Sequence, residues 1–130
     1  MIKETINDLL ISIAQVKIDE LSNKEFIDGG SNGPYNCVDT PVRNSAHWCV
    51  TFSYLYNITK EKKYYEAIIK LSNYILKIEG ESASGSVKCM DGKGFTDTNG
   101  LIGQAWAIEG LLFAYKTTNK KISRLCKKNI

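Results

Sequence analysis

No stretch of this 130-residue chain approaches the roughly 20 consecutive apolar residues that a membrane-spanning helix needs. The start, Met1-Ile2-Lys3-Glu4-Thr5, carries an acid at once, and Asp8 interrupts any apolar run, so it reads as no secretory signal. Cysteine is sparse and scattered: Cys37, Cys49, Cys89 and Cys126 form no CxxC pair, and His47 is the single histidine. That spacing argues against a zinc site, and without an export signal the expectation is four reduced thiols and a cytoplasmic location. Charge of one sign is also lacking. The net +3 sits partly in the tail, at Lys120, Lys121, Arg124, Lys127 and Lys128, with no nucleic-acid motif beside it, so no nucleic-acid partner is expected. The glycine-rich segments have neither a P-loop lysine arrangement nor a dinucleotide fingerprint, and no nucleotide or other cofactor is expected.

What the chain has is a repeat. Hydrophobic residues make up 43% of it, enough for a core. Ala46 to Lys62 contains Trp48, Tyr56, Thr59 and a lysine-rich turn; Ala105 to Lys121 repeats the layout with Trp106, Tyr115 and Thr118. Adding 59 to the number pairs Ala46 with Ala105, Tyr56 with Tyr115, Thr59 with Thr118 and Lys62 with Lys121, while the tryptophans fall one place off that register. Repeats of this size stack, because one hairpin cannot bury its own apolar face. A full amphipathic helix follows the first copy, and none follows the second.

Four helices are expected. The first runs from about 3 to 22, with Ile2, Ile6, Leu9, Ile13 and Val16 as its apolar stripe. The second begins near Thr40-Pro41, where Thr40 can cap and Pro41 suits the first helical position; it carries Trp48, Phe52, Leu55 and Tyr56 toward a neighbour. The chain reverses at 57–60. The third helix, about 61 to 78, shows Tyr64, Ile68, Leu71, Ile75 and Ile78 as its stripe. The fourth, about 100 to 117, is apolar nearly all round and so is expected to lie among other helices. Between them, 23–40 and 79–99 read as long irregular loops rich in Gly and Asn.

The connections run long, short, long. Helices joined by short turns are antiparallel neighbours, so both long loops emerge at one end, at the N-termini of helices two and four. The expectation is an all-α fold of antiparallel helical hairpins, the opening part of a larger helical array with helices two and four inside and helices one and three outside. The hairpin domain covers 1–121. Residues 122–130 form an atypical basic tail: a one-base shift in a coding string compatible with the segment gives KYLDFVKKI, which resembles the missing outer helix, so the tail reads as out of frame.

These residues resemble the (α/α)6-barrel proteins, the six-hairpin glycosidase-like and epimerase-like toroids. The resemblance rests on Trp48, on Tyr56-Asn57-Ile58-Thr59, on Lys63-Tyr64-Tyr65-Glu66-Ala67 and on the run from Gly100 to Glu109, with Thr40 to Trp48 also similar. It covers most of 25–121 and implies a partial (α/α) toroid of about four helices. It implies an active site in the barrel mouth, built from inner-helix ends and long loops, with paired carboxylates for sugar chemistry and aromatic faces for sugar rings. Six hairpins need far more chain than this, so an N-terminal fragment, inactive alone, is expected.

Candidate catalytic residues are Asp28, Glu109 and His47. Asp28, beside Gly29-Gly30, is the loop acid least explained by capping; Glu109 is the one acid on a helix read as buried, where it needs a partner. His47 titrates near neutrality and suits a proton shuttle or a sugar contact, against a structural hydrogen-bonding role. Candidate substrate-binding residues are Trp48, Trp106, Arg43, Tyr35, Asp39 and Gln104. Either tryptophan is able to act as a sugar platform or simply pack in the core. Arg43 either grips the carboxylate of an acidic sugar or pairs with Asp39 or Asp97. Asp39 and Asp97 also suit helix capping, Asp97 in competition with Asn99. A glycan or sugar is the expected ligand, together with self-association through exposed apolar faces. The alternative is a helical-repeat interaction module without catalysis. The long loops favour the carbohydrate-active reading, because interaction repeats keep loops short.

Overall fold

The computed structural model describes residues 2–32, 37–81, 85–91 and 100–119. Four helices carry the fold: α1 (Ile2–Leu21), α2 (Pro41–Thr59), α3 (Lys62–Glu81) and α4 (Gly100–Thr118). The fold is all-α, with α2 and α3 reversing through Lys60 and Glu61 as an antiparallel hairpin. The repeat is visible in the elements themselves. Both α2 and α4 are 19 residues long and start 59 positions apart. Each ends the same way: Thr59 and Thr118 donate their hydroxyls back to Leu55 O and Ala114 O. Lys60 and Asn119 then turn left-handed, at φ 58° and 52°, and donate N–H to Tyr56 O and Tyr115 O. That left-handed turn is how helices commonly stop.

The core lies between α2, α3 and α4. The expected stripe of α3 is buried, with Tyr64, Ile68, Leu71 and Ile75 fully so and Ile78 packed beside them. Phe52 of α2 lies between Trp48 and Tyr64, at ring distances of 5.2 and 5.9 Å. Each such buried side chain contributes about 1.5–3 kcal/mol. Against α2, α4 presents the small residues Gly103, Ala107, Gly110 and Ala114. They let the helices approach so closely that a Cβ on Gly110 would stand 2.7 Å from Ala46 Cα. Helix α1 lies against α3, where Lys63 Nζ donates to Gln15 Oε1 (3.1 Å) and Lys70 Nζ to Leu21 O (2.7 Å).

Two expectations about helix faces are overturned. In α1, Ile6, Leu9, Ile13 and Val16 are exposed; Ala14 and Leu21 are buried, and Leu10, Ile11 and Ile18 pack against the core. Two apolar stripes share this helix, and periodicity alone does not say which one meets α3. In α4, only the small-residue side and Leu111 are covered, whereas Leu101, Ile102, Ile108, Leu112, Phe113 and Tyr115 are exposed. A helix apolar all round is not thereby surrounded.

The long loops are also less irregular than expected. They contain three short strands, β1 (Ser31–Asn32), β2 (Cys37–Asp39) and β3 (Met90–Asp91), antiparallel in the order β1-β2-β3. Two- and three-residue strands are too short for alternation to announce them. Val38 pairs with Asp91 and Asp39 with Met90, which ties one long loop to the other. Thr40 N–H donates to Cys89 O (3.0 Å) and its hydroxyl donates to Lys88 O. Thr40 therefore makes no side-chain cap on α2, while Pro41 does open the helix. Both loops stand at the end where α2 and α4 begin.

Candidate functional site

At that end the first turns of α2 and α4 lie side by side, and five of the expected residues meet. Arg43 and His47 are four apart on α2; Trp106 and Glu109 are three apart on α4, so each pair shares a helix face. The Arg43 guanidinium sits 4.4 Å from the centre of the Trp106 ring, and the His47 ring lies 5.6 Å from it. Trp106 thus has a guanidinium and an imidazole from one face of α2 beside it, the guanidinium within the range in which cation–π attraction acts. Asp39, last residue of β2, holds the guanidinium: Arg43 Nη1 donates to Asp39 Oδ2 at 2.8 Å. Asp39 thus serves Arg43 and gives α2 no cap, overturning the capping alternative; the Asp39 pairing expected for Arg43 is the one present.

Asp39 itself is 5% exposed. Its other oxygen, Oδ1, is buried with no hydrogen-bond partner among the described residues. Its backbone N–H donates to Gly30 O, and Gly29 passes so near that a Cβ there would collide with Asp39 O. The first loop therefore passes against the backbone of Asp39 and Thr40 only because glycine occupies position 29.

His47 has its pKa lowered from the ordinary 6.5. Partial burial is the main cause, the Arg43 charge adds to it, and Glu109 opposes it. The ring is consequently neutral at neutral pH, with a proton-accepting nitrogen. Glu109 is exposed, which corrects the expectation of a buried acid in need of a partner; the helix face it stands on is the open one.

The other expected residues go elsewhere. Asp28 is exposed and paired with Lys24; its N–H donates to Glu20 Oε1, and its carbonyl accepts from Asn44 Nδ2. Trp48 packs on Phe52 at the edge of the core. Gln104 braces the second loop, donating Nε2 to Val87 O (2.7 Å) and accepting Val87 N–H at Oε1 (3.0 Å). Tyr35, Asp97, Asn99 and the tail from 122 to 130 lie outside the described residues. Asn44, the brace between α2 and the first loop, was missed; an Asn one residue after an expected site Arg gives no sequence signal of that role. Cys49 and Cys89 are buried thiols with pKa values pushed up to about 12 and about 11, mainly by burial, so neither is a ready nucleophile. Among the described residues, no group of three His, Cys, Asp or Glu is placed to hold a metal ion. No helix among them is long and apolar enough to cross a membrane.

Fold and site together define an all-α chain of helical hairpins with an aromatic–cationic patch where two long loops meet the helix starts. No protein-family model matches the chain, and no solved structure matches it significantly. It is similar to the archaeal glycosylation protein Q of Haloferax volcanii, at 30% identity over 117 residues. That alignment covers 90% of this chain and 32% of the relative, so the chain spans about a third of the relative's length.

Proposed function

We propose that this chain is part of a carbohydrate-active (α/α)-barrel protein acting on glycans, glycoside hydrolase-like in its parent form, and that Trp106 is its sugar platform. The observation that carries the reading is the Trp106 ring set beside Arg43 and His47 at the loop end of the helices. A sugar offers an apolar ring face for the indole and a rim of hydroxyls for neighbouring polar groups. The similarity to a glycosylation protein supports the glycan class. In this reading a neutral His47 accepts a proton from a sugar hydroxyl or water, with Glu109 stabilising the imidazolium that forms. Asp39 positions Arg43, which contacts the sugar rim. Asp28, engaged by Lys24, has the weaker claim to acid–base work.

The test is a titration of the full chain with a panel of neutral and acidic oligosaccharides, followed through tryptophan fluorescence and the indole N–H resonances. Binding should perturb the Trp106 signal and be lost in Trp106→Ala while Trp48→Phe retains it. No perturbation by any glycan, or equal binding by Trp106→Ala, overturns the proposal. The second reading, an interaction module without catalysis, is favoured by one observation: the exposed apolar side of α4.

A further inference from the structure

The polar groups around the Trp106 ring differ in what they offer a ligand. Arg43 is the cation over the ring, but its charge is already matched, because Nη1 donates to Asp39 Oδ2 at 2.8 Å. Asp39 is buried, and its Oδ1 has no hydrogen-bond partner among the described residues. Drawing Arg43 away toward a ligand's carboxylate would strand that charge altogether, and a buried carboxylate without its partner is strongly destabilising. Arg43 is therefore not free to act as a cation toward an anionic ligand. Its hydrogen-bonding capacity is another matter. The side chain is 29% exposed. An arginine carries five N–H donors, and among the described residues only one of them is used, by Asp39. The ion pair and the Trp106 ring hold the rest in a fixed fork.

Two acceptors complete the set. His47 is neutral at neutral pH, so one of its ring nitrogens accepts. Glu109 is exposed and near enough to His47 to act on its charge. With Asp39 and Glu109 at −1 each, Arg43 at +1 and His47 at 0, the four groups sum to −1. A hydroxyl suits them, because it accepts from Arg43 and donates to His47 or Glu109. A sugar carboxylate only accepts, and it would face two charges of its own sign. We propose that this site takes neutral sugars and turns away uronic acids, with buried Asp39 setting the choice and Glu109 reinforcing it. Asp39 dominates because it lies out of water, whereas solvent and salt screen the exposed Glu109. The inference rests on the glycan reading of the Trp106 patch and adds to it the charge class of the ligand.

Matched pairs of ligands test it on the full chain: methyl glucoside against methyl glucuronide, and methyl galactoside against methyl galacturonide. Each pair differs only in a hydroxymethyl group exchanged for a carboxylate. Titrations are followed by fluorescence in the Trp48→Phe background, where Trp106 is the remaining tryptophan. The neutral member should bind at least about tenfold more tightly, since like charges set together suppress the wrong partner. Added salt should narrow that ratio, and so should Glu109→Gln. Asp39→Asn should reverse it in favour of the uronide, because Arg43 then keeps its charge for the ligand. Circular dichroism checks each variant; if Asp39→Asn loses helix, the salt series and Glu109→Gln, which leave the buried pair intact, decide the matter. Equal or tighter binding of the uronide by the unaltered site overturns this inference and leaves the glycan reading standing. A preference that neither salt nor Glu109→Gln changes also overturns it. Binding of neither member of either pair overturns the glycan reading itself, and this inference with it.

Discussion

At the scale of the residue, the site is a set of compromises around one buried carboxylate. Asp39 surrenders its hydration and recovers one oxygen's bonding from Arg43, which in turn is laid over Trp106. His47 then feels a cation beside it and an exposed Glu109 beyond. Its titration is the direct readout. By proton NMR, the His47 midpoint should fall below 6.5; Arg43→Ala should raise it and Glu109→Gln should lower it further. Because the folded value lies below the unfolded one, the unfolded chain binds the extra proton first. The contribution of neutral His47 to stability is therefore present above the ordinary value and is lost as pH falls through it. A midpoint that does not respond to either substitution would mean the three groups do not share one face.

At the scale of the element, the contact between α2 and α4 depends on what α4 leaves out. Gly110 costs its helix about 1 kcal/mol relative to alanine in intrinsic propensity. That cost is offset by the close approach, since a methyl group there would meet the Ala46 backbone at 2.7 Å. Backbone cannot swing aside as a long side chain does, so Gly110→Ala should destabilise the fold by about 1–3 kcal/mol despite its better propensity. Denaturant unfolding checks it, with Ile108→Ala, on the exposed side of the same helix, as the near-neutral control. Were Gly110→Ala to stabilise the chain, the helices would have to stand further apart than described here.

At the scale of the whole molecule, two repeats of helix make one continuous core with an aromatic–cationic patch at its loop end. The patch is lined by α2, α4 and two loops, and every catalytic group in such a site must be held within about 0.5 Å of productive geometry. With one exposed carboxylate beside His47, and Asp28 and Asp39 both engaged by cations, the chain alone should bind sugar without turning it over. A sensitive assay on a panel of aryl glycosides should give no release above buffer. Turnover that disappears in Glu109→Gln or Asp28→Asn would contradict this and would name the catalytic acid.

The number, type and order of helices, the buried stripe of α3 and the end at which the long loops meet were legible in the sequence. They follow from local periodicity, from turn chemistry at Thr59-Lys60 and from connection length, all properties of neighbouring residues. Arg43, His47 and Trp106 were legible as residue types near one helix end, but not as a stack. The stack depends on the distance between α2 and α4, which Gly110 sets across 64 residues of chain. Other features belonged to tertiary structure alone. The pairing of β2 with β3, the Asp39–Arg43 bond in place of a cap, and the choice between the two apolar stripes of α1 each depend on a partner remote in sequence. An apolar stripe records that a surface is able to be buried; only the packed neighbour decides whether it is.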